Sequence, residues 1–252
     1  MSSVGERSTA WLAPISAIVF LGIWELLPAL GLIDPFFISS PTRIVRAAQW
    51  LFAHGLWRDI YVSLTEFVWG MSLAICVGLV LGWALGWYRV LSIIVEPFIT
   101  MMNAAPRVAL LPLLILWLGI GAASKTAAVF IGAFFPIVIT VMKGIRTIDV
   151  NLLDLAKSFG ATDRQVFTTL AIPATVPYFI AGLHIAVGRG LVGVVIGELL
   201  AAQAGVGHMM ARASATFQTD KVFVGLLLLT GFGYVLTELI KIIEKSFESW
   251  RP

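Results

Sequence analysis

The sequence predicts an all-α, polytopic membrane protein with about six transmembrane helices, because the chain is very apolar and its apolar residues form long runs. Of 252 residues, 59% are hydrophobic and 12% are charged, and the mean hydropathy is +0.96. A soluble domain of this size carries roughly twice as much charge. A spanning helix needs about 20 apolar residues. Residues 1–252 therefore form a single predicted transmembrane domain, with spans at 11–31, 64–87, 94–118, 126–145, 175–200 and 222–243.

The first apolar run is predicted to be a retained span, and the segment after it an interfacial one. The run starts at Trp11 and has no small-residue cleavage site of the kind that ends a signal peptide. The segment 34–60 contains Pro41, Trp50, Trp57 and several charged residues. Tryptophan is enriched at the headgroup level of a bilayer. We therefore expect 34–60 to lie at the periplasmic interface without crossing the membrane.

The second and fifth spans carry stripes of small residues at helical spacing. Such stripes let two helix backbones approach closely inside a membrane. We favour packing within one bundle as their role. The glycines predicted to pack in this way are Gly78, Gly82, Gly86, Gly190, Gly193 and Gly197.

The third span is interrupted by prolines, and the central one, Pro106, is flanked by Asn103 and Arg107. A broken helix is tolerated at membrane depth only where it is buried in protein or lines a wet cavity. Asn103, Pro106 and Arg107 are therefore predicted to belong to a translocation pathway.

The fifth span contains three polar groups, His184, Arg189 and Glu198, in an otherwise apolar helix. An ionisable residue inside a membrane indicates function by default. Arg189 and Glu198 lie about 180° apart around the helix and cannot pair with each other. We predict that all three line the pathway. A structural ion pair for Arg189 and an interfacial position for Glu198 remain open.

The stretch 147–173 is a polar island between long apolar runs. Asn151 is predicted to cap a short helix in which Leu152, Leu155 and Phe159 form an apolar ridge at helical spacing. A helix this short is not stable in water by itself. Its ridge is therefore expected to dock into a groove on a partner, or to fold back against its own membrane domain; the spacing leaves both open.

Three further signals divide this island into a helix, a hinge and a second helix. Gly160 supplies the stop of the first helix. Thr162 and Gln165 have the spacing of a capping box, which starts the second helix. Pro173 is expected to end or kink that helix.

The distribution of basic residues predicts which side each connection faces. With an even number of spans, both termini lie on one side, and nine lysines and arginines share that side against six on the other. This bias places both termini and the island 147–173 in the cytoplasm. The larger set is Arg7, Arg89, Lys143, Arg146, Lys157, Arg164, Lys241, Lys245 and Arg251, and the smaller set is Arg43, Arg46, Arg58, Lys125, Arg212 and Lys221.

Enzyme chemistry finds little support in this sequence. Residues 119–126 come close to a phosphate-binding loop, but Ser124 replaces its second glycine and a spanning helix, not a strand, precedes it. The histidines lack metal-ligand spacing, and no serine or cysteine lies in a nucleophile motif. Basic residues are scattered in short connections, so no nucleic-acid footprint is present. We expect neither catalytic residues nor a metal site.

The island resembles the cytoplasmic motif of ABC importer permeases, Glu-Ala-Ala-x3-Gly-x9-Ile-x-Leu-Pro, whose coupling helix sits in a cleft of the ATPase subunit. The resemblance is also distributed over most of the chain, in the pattern of the nitrate, sulfonate, taurine and bicarbonate branch. Its segments include Pro106 to Gly121, Phe135-Pro136, Gly182-Leu183, Glu198-Leu199, Gly205-Val206-Gly207 and Trp250. By this resemblance the residues that contact the ATPase are Leu152, Asp154, Leu155, Ala156, Phe159, Gly160, Ala161, Ile172 and Pro173.

The resemblance implies a type I ABC importer permease fold and a subunit of the bacterial inner membrane. Such a subunit dimerises, binds two ATPase subunits that hold ATP and Mg, and receives substrate from a periplasmic or lipid-anchored binding protein. A single chain with its own complete motif favours a homodimer over a heterodimer. It carries no cofactor of its own. The implied substrate is a small anion such as a sulfonate, nitrate, bicarbonate or an organic acid. A thiamine-precursor pyrimidine is an alternative within the class, and a stand-alone channel, a secondary carrier or a membrane scaffold is an alternative outside it.

The chain departs from the pattern of that branch at two pathway positions. An arginine is common where this chain has Asn103 and His184, whereas Arg107 and Arg189 lie nearby instead. We predict that the positive charge of the pathway has moved and has not been lost.

Overall fold

A computed structural model describes residues 11–246, and within that range the chain is entirely helical. Three residues used in the sequence analysis, Arg7, Trp250 and Arg251, lie outside the described residues. The helices are α1 (Leu12–Ala29), α2 (Pro35–Ile38), α3 (Pro41–Ala53), α4 (Leu56–Trp87), α5 (Arg89–Ala104), α6 (Leu111–Leu118), α7 (Ala122–Arg146), α8 (Val150–Ser158), α9 (Asp163–Val166), α10 (Ile172–Ala201), α11 (Val206–Ala215) and α12 (Thr219–Ser246).

Helices of membrane length account for most of the chain. Among the described residues, four helical runs are long and apolar enough to cross a bilayer: α4, α7, α12 and the continuous run Asp163–Ala201. The pair α5 and Arg107–Leu118 passes the same test as one span bent by 95°. The first predicted span corresponds to α1, whose apolar stretch Pro14–Ala29 is shorter than the others.

Helix α7 is the centre of the bundle and packs between α4 and α10. Gly78 of α4 lies against Ile137, and Gly82 lies against Val141. Residue numbers rise together on both helices, so α4 and α7 run parallel. The opposite holds for α10, where Gly193 lies against Ala128 and numbers fall as those of α7 rise. Because α4 and α7 are parallel, the bent pair between them returns the chain to its starting side.

The bend of the third span follows from one proline of the three. Pro97 lies inside α5 and Pro112 lies in the first turn of α6, and neither interrupts its helix. Ala105, which precedes Pro106, is extended with ψ 140°. A proline disfavours helical geometry in the residue before it, so α5 ends at Ala104.

The segment 34–60 contains two helices, α2 and α3, and its last residues belong to a span. Helix α4 begins at Leu56, whereas the sequence placed the second span at 64–87. Helix α3 buries Ile44, Ala47 and Leu51 in a cluster with residues of α11 and α12. Helix α11 was not predicted. Together α3, α11 and the first turns of α4 and α12 form a layer at the end of the bundle opposite to α8.

Candidate functional site

A cavity of about 470 Å³ lies at the bend of the third span. Helices α7 and α10 form its far walls, and the break between α5 and α6 forms its near wall. The cavity is mostly apolar, with polar groups at Asn103, Arg107 and Arg189. Its other lining residues are Ala105, Val108, Leu111, Leu114, Ala128, Ile131, Gly132, Gly188, Val192, Gly193 and Ile196.

Two arginines from different spans meet at one amide oxygen in this cavity. The Arg107 guanidinium donates to Asn103 Oδ1 at 2.7 Å and to the Asn103 backbone carbonyl at 3.2 Å. Arg189 Nη1 donates to the same Oδ1 at 3.0 Å. Asn103 lies in the last turn of α5, Arg107 follows the bend and Arg189 lies on α10. The bend therefore brings together three residues that the sequence predicted for the pathway.

No carboxylate of the described residues pairs with either arginine. The ion pairs in residues 11–246 are Lys125–Glu66, Arg146–Glu96 and Lys241–Glu238. Arg107 Nε is buried and has no hydrogen-bond partner, and its guanidinium lies 6.0 Å from the centre of the Phe135 ring. The cavity thus holds two positive charges and at least one unused donor. Guanidinium groups arranged in this way bind the oxygens of carboxylates, sulfonates or phosphates.

The other predicted pathway residues lie beside this cavity and not in its wall. Pro106 is exposed at the bend itself. His184 is half-buried, one turn from Gly188 on the same face of α10. His184 therefore lies next to the cavity.

Glu198 was predicted to line the pathway, or else to lie at the interface, and the structure contradicts both. Its side chain is fully buried. It accepts hydrogen bonds from Ser63 Oγ at 2.6 Å and from the Gly207 backbone N–H at 2.7 Å. Ser63 also accepts from the Val206 N–H at 2.9 Å. Glu198 is buried because the start of α11 folds over it, and it ties that helix to α4 and α10.

Next to Glu198 lies a buried ion pair that the sequence analysis missed. Lys125 Nζ is 2.7 Å from Glu66 Oε1, with side-chain exposures of 6% and 3%. The sequence analysis placed Lys125 in an outer connection, but α7 begins at Ala122 and buries it. The signal was available: Glu66 is an acidic residue inside an apolar run, which calls for a partner.

The six glycines named above lie at helix contacts. A Cβ built on Gly82 would be 2.8 Å from the Val141 Cβ, and one built on Gly193 would be 2.7 Å from the Ala128 carbonyl oxygen. Both distances are far below normal van der Waals separation. Of the remaining four, Gly78 and Gly86 also lie against α7, Gly190 lies against α4, and Gly197 lies against Lys125.

Helix α8, in the island, begins and ends on strong local signals. Asp149, not Asn151 as predicted, is the N-cap, because its carboxylate accepts from the Asn151 N–H at 2.9 Å. At the other end Gly160 has φ +79°, the left-handed conformation that glycine adopts without strain. The Gly160 N–H donates to the Lys157 carbonyl and the Ala161 N–H donates to the Ala156 carbonyl. These two bonds form a Schellman motif, which closes the helix.

The apolar ridge of α8 is open to solvent. Leu152 is 50% exposed, Leu155 is 54% exposed and Phe159 is 84% exposed. Of the other residues predicted to contact the ATPase, Asp154 and Ala156 lie within α8, and Ala161 lies just after its end. Within the described part of the chain, no residue of the membrane bundle covers the ridge. Among residues 11–246, the ridge of α8 therefore does not fold back onto its own domain.

The second helix of the island does not end at Pro173. The Thr162–Gln165 capping box is present and starts α9 as predicted. A π-helical turn, Phe167–Ala171, then leads directly into α10. Ile172 and Pro173 form the first turn of α10 directly after this π-helical turn, so Pro173 does not stop the helix.

The interior of a bilayer offers a polar solute no water to hydrogen-bond with. A cationic cavity enclosed by helices of membrane length supplies polar groups that can bind such a solute there. The class of protein that this arrangement defines is a membrane permease. Comparison with known proteins agrees. The chain belongs to the family of binding-protein-dependent transport system inner membrane components, which matches residues 74–249.

Relatives cover nearly the whole chain. The putative aliphatic sulfonates transport permease protein SsuC of Bacillus subtilis (strain 168) is 28% identical over 98% of this chain and 90% of its own length. The formylaminopyrimidine transport permease protein ThiX of Halalkalibacterium halodurans is 30% identical over 98% of both chains.

A solved structure has the same fold. It is titled as inward-facing conformations of the MetNI methionine ABC transporter, and it covers 79% of this chain and 96% of its own, with a TM-score of 0.58. At 19% identity this likeness concerns the fold alone. The predicted all-α, polytopic ABC importer permease fold is thus confirmed, and the chain is a multi-pass subunit of the inner membrane and of a transport system.

Proposed function

We propose that this chain is the permease subunit of an ATP-driven, binding-protein-dependent importer for a small organic anion of the sulfonate type. The observation that carries the proposal is the meeting of Arg107 and Arg189 in a cavity where neither has a carboxylate partner among the described residues. Relatives named for aliphatic sulfonates and for taurine support the same class of substrate.

Electrostatics favours an anion in this cavity. Both guanidinium groups reach the same oxygen within 3.0 Å, so their charges are roughly 6 Å apart. At an effective dielectric constant of about 20, two like charges at that distance repel by about 3 kcal/mol. A monoanion between them adds two attractions at shorter distances, and together these outweigh the repulsion. A neutral ligand leaves it in place.

The ridge of α8 supports ATP coupling by separate subunits. Leu152, Leu155 and Phe159 present an exposed apolar surface on a helix only nine residues long, which is the shape of a helix that docks into a groove. We propose that each chain of a homodimer docks one ATPase subunit by this ridge, on the cytoplasmic side where both termini also lie. ATP and Mg are then held by the ATPase subunits. A periplasmic or lipid-anchored binding protein delivers the substrate at the opposite end.

A second candidate substrate is a formylaminopyrimidine, favoured by the relative that bears that name. The two candidates differ in charge. An anion depends on Arg107 and Arg189 for its binding energy, whereas a neutral pyrimidine uses hydrogen bonds and stacking.

The partner test starts from the chain in its native membrane. We would extract the tagged chain in mild detergent and identify the co-purifying proteins by mass spectrometry. The proposal expects a Walker-motif ATPase in the same amount as the permease. If the chain purifies alone and moves solute into liposomes without ATP, it is a channel or a carrier and the proposal is wrong.

The substrate test uses the complete complex in proteoliposomes with its binding protein. We would measure ATP-dependent uptake of radiolabelled ethanesulfonate and of formylaminopyrimidine. Each of Arg107→Ala and Arg189→Ala is expected to lower ethanesulfonate uptake roughly 10- to 100-fold, because a hydrogen bond to a charged group contributes about 1.5–3 kcal/mol. Lys245→Ala removes an exposed cation outside the cavity and serves as the control. Unchanged ethanesulfonate uptake in both arginine variants would exclude the anion site.

A further inference from the structure

We infer that the Asn103 side-chain oxygen is a resident acceptor, which holds the place of the anion between Arg107 and Arg189 until a substrate oxyanion displaces it. This inference rests on the proposed function and assigns Asn103 a role in it. Asn103 determines specificity and is a competitor of the substrate, not one of its ligands.

The geometry gives Asn103 Oδ1 the contacts that an anionic oxygen would make. One oxygen accepts from Arg107 Nη2 at 2.7 Å and from Arg189 Nη1 at 3.0 Å. Charged donors from two different spans thus converge on a single point in the wall of the cavity. A sulfonate or carboxylate oxygen at that point would receive the same two hydrogen bonds.

Asn103 Oδ1 occupies this point but does not compensate the positive charge of the two arginines. Its amide is neutral, so two guanidinium charges share one partially charged oxygen. Arg107 Nε remains buried and unpartnered. Both bonds to Asn103 Oδ1 are already charge-assisted by their guanidinium donors, and an oxyanion at the same point would add Coulombic attraction to both charges. An oxyanion therefore has a clear advantage over the amide oxygen, whereas a neutral ligand has none. A resident amide of this kind rejects neutral solutes that fit the cavity.

Displacement also releases a contact across the break in the third span. Asn103 precedes the 95° bend and Arg107 follows it, so their hydrogen bonds cross it. The Arg189 bond joins the same point to α10. When an anion replaces Asn103 Oδ1, the Asn103 side chain no longer bonds to Arg107 or to Arg189, and only the bond from Arg107 to the Asn103 backbone carbonyl still crosses the bend. Substrate binding thus changes the side-chain contacts of the broken third span.

Substitutions at Asn103 predict effects of opposite sign. Asn103→Ala removes the competitor and leaves both arginines free, so it is expected to tighten anion binding. Asn103→Asp keeps the shape and both hydrogen bonds and adds a negative charge that neutralises the site, so it is expected to prevent anion binding. If Asn103 were instead a direct ligand of the substrate, Asn103→Ala would weaken binding.

The experiment measures equilibrium binding of radiolabelled methanesulfonate to the permease–ATPase complex in nanodiscs, without binding protein or ATP. We expect the half-saturating concentration to fall about tenfold in Asn103→Ala, the equivalent of one competing hydrogen bond, and binding to be lost in Asn103→Asp. The control is Gln203→Ala, which removes an exposed amide outside the cavity and is expected to leave binding unchanged. Thermal unfolding of each variant checks that it is folded, and the near-isosteric Asn103→Leu, which also removes the acceptor and is expected to tighten binding, preserves the test if Asn103→Ala does not fold.

The outcomes separate the two hypotheses. Loss of binding in Arg107→Ala and Arg189→Ala, together with tighter binding in Asn103→Ala, supports the inference. Loss of binding in the arginine variants together with weaker or unchanged binding in Asn103→Ala overturns the inference and leaves the anion site standing. Unchanged binding in the arginine variants overturns the anion site itself, and the inference with it.

Discussion

The buried ion pair Lys125–Glu66 and the exposed ion pair Lys241–Glu238 have the same nitrogen–oxygen distance, 2.7 Å. They differ in burial, with side-chain exposures of 6% and 3% in the first and 52% and 40% in the second. We predict that Lys125→Met strongly destabilises the protein, whereas Lys241→Met has no measurable effect. The comparison isolates burial, because the substitution and the distance are the same.

The magnitude follows from what each substitution leaves behind. In Lys125→Met the Glu66 carboxylate loses its ion-pair partner, and its Oε2 has no hydrogen-bond partner among the described residues even in the native protein. Removing one partner of a buried pair costs about 3–5 kcal/mol, because the remaining charge stays buried and unpaired. For a chain of this length that corresponds to a fall in unfolding temperature on the order of 10 °C. Glu238 in Lys241→Met is simply hydrated, and exposed pairs contribute little.

The assay is thermal unfolding in detergent, followed by tryptophan fluorescence. The double variant Glu66→Gln with Lys125→Met removes both charges, so it is expected to recover part of the stability lost in Lys125→Met. Equal unfolding temperatures for Lys125→Met and Lys241→Met would refute the reasoning. A double variant less stable than Lys125→Met would show that a charge on Glu66 is not the source of the loss.

Two further predictions concern glycines. Gly193→Val places a Cβ 2.7 Å from the Ala128 carbonyl oxygen, so we expect the yield of folded protein, measured by size-exclusion chromatography, to fall sharply. The control is Gly231→Val, because a Cβ at Gly231 meets nothing within 4 Å. Equal yields of the two variants would contradict the packing role of Gly193. Gly160→Val forces a β-branched residue to φ +79°, at a cost of at least about 1–2 kcal/mol, and reorients the end of α8. We expect ATP hydrolysis without uptake in proteoliposomes, and normal coupling would count against docking through Phe159.

The apolar runs and the break at Pro106 could be predicted from the sequence, because both depend on local signals. Apolar runs mark the helices. A proline restricts the conformation of the residue before it in any tertiary context, and here that residue is Ala105. The Thr162–Gln165 capping box is equally local. Asn151 was chosen as a cap in place of Asp149 because two good capping residues lie two positions apart, and the sequence gives no rule that separates them.

Contacts between spans could not be predicted in the same way. Lys125 and Glu66 pair because α4 and α7 run parallel in one register, which the glycine contacts set and which composition does not encode. Glu198 was predicted to line the pathway, and an interfacial position was left open because it lies near the end of a span. It is buried because α11 covers it, and that helix has too few apolar residues to be recognised from its sequence. For the cavity, the sequence predicted Asn103, Arg107 and Arg189 individually, but their convergence depends on the 95° bend.

The uninterrupted helical run Asp163–Ala201 has a mechanical consequence. Its first turn follows the exposed ridge of α8 in the sequence, and Arg189 lies roughly 35 Å further along at about 1.5 Å per residue. If the ridge docks on an ATPase as proposed, the run is a rigid arm that transmits motion from the docked end to Arg189. A tilt of about 5° at the docking end would carry Arg189 sideways by about 3 Å, as far as the whole length of its bond to Asn103. A small rocking motion is thus enough to separate Arg189 from Arg107 and to break the hydrogen bonds that both make to the group between them.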